Sequence, residues 1–225
     1  MTLENSLTAY ADKYLTPDNE WYLWRNINPR YLPTGIVLPM GNQYAQNVSL
    51  KHQLSNLYSN GNDDAKISAT KYYIAVWGGV RRNGMNKIKN YSLASPDSLI
   101  VNGVQGIASW SKALCIRDPN NYAIYDARVA LSLNAIQVIS RAQSPILYPL
   151  LKGQNKLINK GSKHMHEYAC KNEWPKTDQT DFYQRYNAIL SATANTLNVS
   201  HYSMEMLLFS HAPNLLRIAF SNEHF

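Results

Sequence analysis

The stretch GIASWSKALCIRDPNNYAIYDARVALSLNAI, residues 106–136, decides how this chain folds. A glycine turn opens into a short helical run that carries a single lysine, Lys112. Asp118-Pro119-Asn120-Asn121 is a turn by chemistry: proline presets φ, and Asp and Asn side chains bond their own backbone. Asp126 then heads a run that is apolar on every side, with Val129, Ala130, Leu131, Leu133, Ile136, Val138 and Ile139. All-round apolarity marks a central, buried helix over 127–139, and Asp126 stands where an N-cap belongs. Immediately upstream, SLIVNGVQG provides an apolar turn of helix and a hairpin with Gly103 and Gly106. Residues 99–117 therefore read as helix, hairpin, helix, the second helix beginning near Ser109.

Outward from this centre the pattern stays helical. Leu3, Leu7, Tyr10, Ala11, Tyr14 and Leu15 have helical spacing. Residues 16–46 hold four prolines and many aromatics, so they read as an extended, wrapped segment packed by Trp21 and Trp24. Ser49 reads as the cap of a helix with Leu50, Leu54, Leu57 and Tyr58 on one face. SNGNDD breaks it, and a second helix over 66–77 stops at Gly78-Gly79. Residues 80–98 are a polar, basic connection with one short helix. Residues 141–180 are mixed, punctuated by Pro and Gly. Phe182, Tyr186, Ile189, Leu190, Thr193 and Leu197 line another helix, and Ser200 caps a last one. Period-2 patterning is scarce, so the fold class is mainly α. The expected division is 1–48, an N-terminal helix and wrapping segment, and 49–225, a helical domain.

With 225 residues the chain can build one sizeable core or two lobes. Lys and Arg number 22 against 15 Asp and Glu, a net charge of +7, which favours a polyanionic partner without naming one. Two cysteines, Cys115 and Cys170, are too few for a disulfide framework or a four-Cys metal site, and both are expected to stay reduced in a cytoplasmic setting. The first residues lack the pattern of a signal peptide, and no run reaches 18 apolar residues, so no membrane partner is expected. His164, His166 and Glu167 in KHMHE would point to different faces of a helix, so neither a metal nor any other cofactor is expected. No P-loop, HEXXH or GxSxG occurs. Asn and Tyr are frequent, and no function follows from that.

Lys112 and Asp126 are the pair that suggests chemistry. A hairpin between two helices points backbone N–H groups at one spot and suits a DNA phosphate, with Gly103 and Gly106 allowing close approach and Ser109 beside them. A lysine at a helix start, partly desolvated, can be a neutral amine and hence a Schiff-base nucleophile. A carboxylate at a helix head stays ionised and stabilises positive charge developing on a sugar as its glycosidic bond breaks. The bland alternative is a solvated lysine and an ordinary capping aspartate.

These residues resemble the helix–hairpin–helix DNA glycosylase superfamily, in which a hairpin is followed by a lysine in the next helix and an aspartate at the head of a buried helix. GIASWSKAL and IYDARVA stand for those parts. WGG at 77–79, SWSK at 109–112, YDARVA at 125–130 and MEMLLF at 204–209 look most like the bacterial proteins with an 8-oxoguanine DNA glycosylase fold, over residues 50–215. The hairpin departs from the usual Gly-x-Gly form and sets Lys112 about two residues further on; the four-Cys iron–sulfur cluster of the endonuclease III branch is excluded by the cysteine count. The resemblance implies two helical lobes flanking a cleft and a monomeric DNA glycosylase, with or without AP lyase activity. Its substrate would be a damaged or modified base in double-stranded DNA, removed in repair or in defence against phage DNA with modified bases. It implies Lys112 and Asp126 as catalytic residues and a flipped base held by Trp77, Gln105, Trp110 and Phe209. Arg81, Arg82, Lys87 and Lys89 would join the hairpin on the DNA backbone. The rival expectation is a non-catalytic helix–hairpin–helix DNA-binding or adaptor module.

Overall fold

The computed structural model describes residues 1–221. Its elements, in chain order, are α1 (Leu3–Tyr14), a 3-10 turn (Pro29–Tyr31), α2 (Gln43–Asn60), α3 (Asp63–Lys71), a π-helical turn (Tyr72–Trp77), α4 (Met85–Leu93), α5 (Pro96–Ile100), α6 (Ile107–Arg117), α7 (Ala127–Ile139), α8 (Lys156–Lys171), α9 (Phe182–Leu197) and α10 (His201–Ala219). The fold is mainly helical, and no strand occurs among the described residues beyond an isolated bridge between Leu147 and Lys176. The abundant asparagine has a structural use: Asn42, Asn62 and Asn155 cap α2, α3 and α8, each side chain accepting backbone N–H groups of the first turn.

The chain does not divide at residue 48. One compact unit is Met1–Thr16 with Tyr125–Phe225, and the other is Pro17–Ile124. α1 belongs with the later helices because it packs on α7 and α9, where Ser6 Oγ donates to Ser140 Oγ at 2.8 Å.

The Pro17–Ile124 unit begins with the extended segment. Its Trp24, Ile27, Leu32 and Leu38 pack against a core of Leu50, Leu54, Tyr73, Trp77, Ile116 and Ile124. α2 starts at Gln43, capped by Asn42, so Ser49 lies inside the helix and not at its head. The helix expected over 66–77 is α3 from Asp63, followed by a π-helical turn. Gly78 N–H donates to Tyr73 O at 3.0 Å, a five-residue step, and Gly79 follows at φ 70°.

In the other unit α7 is the buried helix that its composition demands: every residue from Ala127 to Gln137 except Arg128 is buried. It packs along α10, and Ser132 Oγ donates to Leu208 O at 2.6 Å. Two buried carboxamides on α7 clamp the following loop. Asn134 bonds both the N–H (3.0 Å) and the C=O (3.1 Å) of Tyr148, and Gln137 does the same for Ile146 (2.8 and 2.9 Å). The segment read as mixed contains a full helix, α8. Gly161 lies at its middle because a Cβ there would stand 2.5 Å from Leu216 Cδ2 on α10.

Candidate functional site

Ser95 caps α5, its Oγ accepting from Ser98 N, and Asn102 Nδ2 closes the other end by donating to Ser98 O and Leu99 O at 3.0 and 2.9 Å. The chain then turns through Gly103 (φ 55°) and Gly106 (φ 72°). Gly106 is needed twice over: its φ is left-handed, and a Cβ would stand 2.5 Å from the Tyr91 hydroxyl. Its carbonyl accepts from Ser109 N and Trp110 N, so α6 begins at Ile107, two residues earlier than the sequence suggested. Ser109 Oγ accepts from Asn83 Nδ2 at 2.9 Å, tying the loop that carries Arg81 and Arg82 to the hairpin helix. Arg81, Arg82, Lys87 and Lys89 are all exposed.

Because α6 starts early, Lys112 is its sixth residue and lies in the second turn. The field of a helix end falls off within the first turn, so it does not set this amine apart. Burial does. Lys112 is 3% exposed, and its Nζ donates to Ala108 O at 2.7 Å. Its stem lies against Gly78, where a Cβ would stand 2.7 Å from Lys112 Cε and 2.9 Å from Cδ. The π-helical turn brings Gly78 to that place, and such turns recur at functional positions.

The pocket candidates occupy different surroundings. Trp77 stacks on Tyr73 (4.4 Å between centroids, 16° between planes) and donates Nε1–H to Asn47 Oδ1 at 2.8 Å. Trp110 is fully buried and donates Nε1–H to Gln105 O at 3.1 Å, while Gln105 itself is exposed in the hairpin turn. So Gln105, Trp110 and Lys112 share the hairpin and α6. Arg117, which the sequence did not single out, anchors the same helix: it donates to Ala94 O at 2.6 Å and to Tyr91 O, and lies over the Tyr58 ring. Burial lowers its guanidinium from the ordinary value.

Asp126 and Phe209 belong to the other unit. Asp126 caps α7, its Oδ1 accepting from Arg128 N at 2.9 Å and Val129 N at 3.2 Å. Arg128 lies over the Phe209 ring at 5.1 Å. Tyr125, beside Asp126, is fully buried, donates to Pro149 O at 2.8 Å and meets Phe182 and Tyr186 edge-on. The Tyr186 hydroxyl is pushed well above its ordinary value by burial first, then by the negative charge of Glu205, with Tyr183, Asp126 and Tyr125 adding to it. Glu205 is 1% exposed, a buried carboxylate inside MEMLLF that the sequence reading did not single out.

Cys115 is buried and Cys170 exposed, and neither is in a disulfide. Among the described residues no group of three His, Cys, Asp or Glu side chains could hold a metal ion, and no helix is long and apolar enough to cross a membrane. No family model, no curated protein and no solved structure matches the chain.

Proposed function

We propose that the chain is a DNA glycosylase that excises a damaged or modified base from double-stranded DNA, with Lys112 as nucleophile. The observation that carries this reading is the burial of Lys112 in the helix after a glycine hairpin, its stem held against a residue with no side chain. A lysine is rarely taken out of water without a task or a partner. The Lys112 amine attacks C1′, the C1′–N bond breaks, and the base leaves with the bonding pair and takes up a proton. Opening of the sugar ring at O4′ then gives the imine, which water hydrolyses either directly or after β-elimination of the 3′ phosphate. The Asp126 carboxylate stabilises the positive charge that develops on the sugar. The two-lobed helix–hairpin–helix architecture and the DNA contacts of the hairpin and of Arg81, Arg82, Lys87 and Lys89 belong to the same proposal, as do action as a monomer in the cytoplasm and a role in repair or phage defence.

Borohydride trapping tests it. Wild type, Lys112→Gln and Asp126→Asn are mixed with abasic, 8-oxoguanine and uracil duplexes and with modified phage DNA. The reading expects a covalent adduct that vanishes in Lys112→Gln. One specific observation favours a second reading, a non-catalytic DNA-binding module: Lys112 Nζ is already bonded to a carbonyl of its own helix, as a structural lysine would be. Salt-dependent DNA binding with neither adduct nor released base on any of these substrates would replace the first reading with the second.

A further inference from the structure

Residues 150–176 hold six lysines and two glutamates, +4 of the chain's net +7, and the proposed function uses none of them. Most of them lie on α8. Lys156, Lys160, Lys163, Glu167 and Lys171 follow one another at steps of four, three, four and four residues. At 100° per residue they fall within about 80° of arc, on a stripe about 22 Å long. All five are exposed. The opposite face is spent on the core: Ile158, Met165 and Ala169 pack in an apolar cluster with Leu131, Ala212 and Leu216. Like charges at this spacing repel, and Glu167, 3.7 Å from Lys163 Nζ, offsets the charge of that lysine. At one side of the stripe Lys152, Lys163, His166 and the Glu167 carboxylate line a cavity of about 350 Å³ with Leu150 and Leu151, and Ser162, also in its wall, has a buried Oγ with no hydrogen-bond partner.

We infer that α8 and the Lys152 loop form a second nucleic-acid-binding face, which takes the phosphodiester backbone of duplex DNA along its row of lysines. A row of ammonium groups one helical turn apart suits a polyanion whose charges also come in a row. The buried apolar face argues against a bilayer, because an interfacial helix needs that face free to enter the lipid. Neutralising phosphates releases counterions, so each lysine in contact leaves its mark on the salt dependence of binding. The inference rests on the chain being a DNA-binding protein, and it does not need Lys112 to be a nucleophile.

The test is fluorescence anisotropy with an undamaged duplex of about 20 base pairs over roughly 50–200 mM salt. It compares wild type with Lys152→Gln/Lys156→Gln/Lys160→Gln/Lys163→Gln, and both are also offered vesicles rich in anionic lipid. These side chains are exposed, so the variant is expected to melt with the wild type. At about 0.9 per phosphate contact, the slope of log Kobs against log salt should fall in magnitude by about 3–4. An unchanged slope overturns the inference, as does a loss confined to vesicle binding. Absence of wild-type affinity for duplex DNA overturns it together with the glycosylase reading. The two also fail separately: base release with an unchanged slope removes only the α8 face, whereas a reduced slope with no base release or adduct upholds α8 and removes the glycosylase.

Discussion

Gly78→Ala isolates the contact that positions Lys112. The backbone of Gly78 is at φ −79° and ψ −13°, where alanine is at ease, so any effect comes from the added methyl and not from strain. That Cβ would stand 2.7 Å from Lys112 Cε, 2.9 Å from Cδ and 2.9 Å from Ile74 O. Carbon pairs prefer about 3.5–4.0 Å, so the lysine stem must give way by about 1 Å. Overpacking of this kind costs about 1–3 kcal/mol. For a chain of this size that lowers Tm by about 2–12 °C. A double-mutant cycle with Lys112→Ala assigns the cost. If the stem is what the methyl meets, the substitutions couple by about 0.5–3 kcal/mol, Gly78→Ala costing less once the stem is gone. The residual cost reports the Ile74 carbonyl. Thermal or urea unfolding of the four proteins gives the numbers, and additive effects within about 0.3 kcal/mol would refute the contact. The same displacement should cut borohydride trapping by about 100-fold, since a 1 Å misplacement of a reacting group has that effect. Wild-type trapping in Gly78→Ala would refute Gly78 as a positioning residue even if the protein were less stable.

Asn134→Leu should destabilise the protein by about 2–6 kcal/mol, because it strands the buried N–H and C=O of Tyr148 at about 1–3 kcal/mol each; a loss below about 1 kcal/mol in urea unfolding would mean that the loop finds other partners. Asp126→Ala should cost about 0.5–2 kcal/mol through the lost cap, while Asp126→Asn keeps a capping oxygen and stays within a few tenths. Trapping should nevertheless fail in both, and an active, stable Asp126→Asn would remove the charge from the mechanism. Alkaline pH should also destabilise the fold. Burial pushes the Tyr148 phenol up to about 12 and those of Tyr125 and Tyr186 well above the ordinary value near 10. The unfolded chain releases these protons first, so the stability they contribute is intact below pH about 10 and is lost as pH rises towards 12. Phenolate absorbance at pH about 11 should show these three tyrosines un-ionised in the native protein and ionised in urea; full native ionisation would contradict their burial.

The sequence exposed some of this structure because the physics was local. α7 runs over the residues expected, 127–139, since a capping aspartate before an all-apolar run leaves little choice. Other parts were hidden for identifiable reasons. α8 carries a mid-helix glycine and a face of lysines, so it looked like a broken polar segment; Gly161 is there for the approach of Leu216, which no local pattern reveals. The start of α2 was displaced to Ser49 because its first turns present Gln43, Tyr44 and Gln46, which conceal the apolar face. A π-helical turn has no residue signature, so the Gly78–Lys112 contact could not be anticipated from WGG. The pairing of α1 with residues beyond 125 is a long-range choice made by packing. Of the residues proposed to act, Lys112 and Asp126 were legible as residue types in a pattern. The turn of α6 that Lys112 occupies, its burial and the buried Glu205 were not.

The cations of the chain fall into two sets, and net charge conceals the difference. Around the hairpin, basic groups are consumed by the fold: Arg117 bonds the carbonyls of Ala94 and Tyr91, Arg25 that of Trp77, and Lys112 that of Ala108. A cation bonded to carbonyls presents less of its charge to a distant polyanion, the buried Lys112 least of all, so Lys112 adds to the +7 and little to the attraction of DNA. Arg81, Arg82, Lys87, Lys89 and the lysines of α8 are exposed and can exchange counterions for phosphates. In the proposed function catalysis and affinity thus fall to different residues. Lys112→Gln should abolish trapping while leaving the salt slope of DNA binding almost unchanged, whereas loss of the α8 lysines should flatten that slope and leave a saturating duplex still trapped.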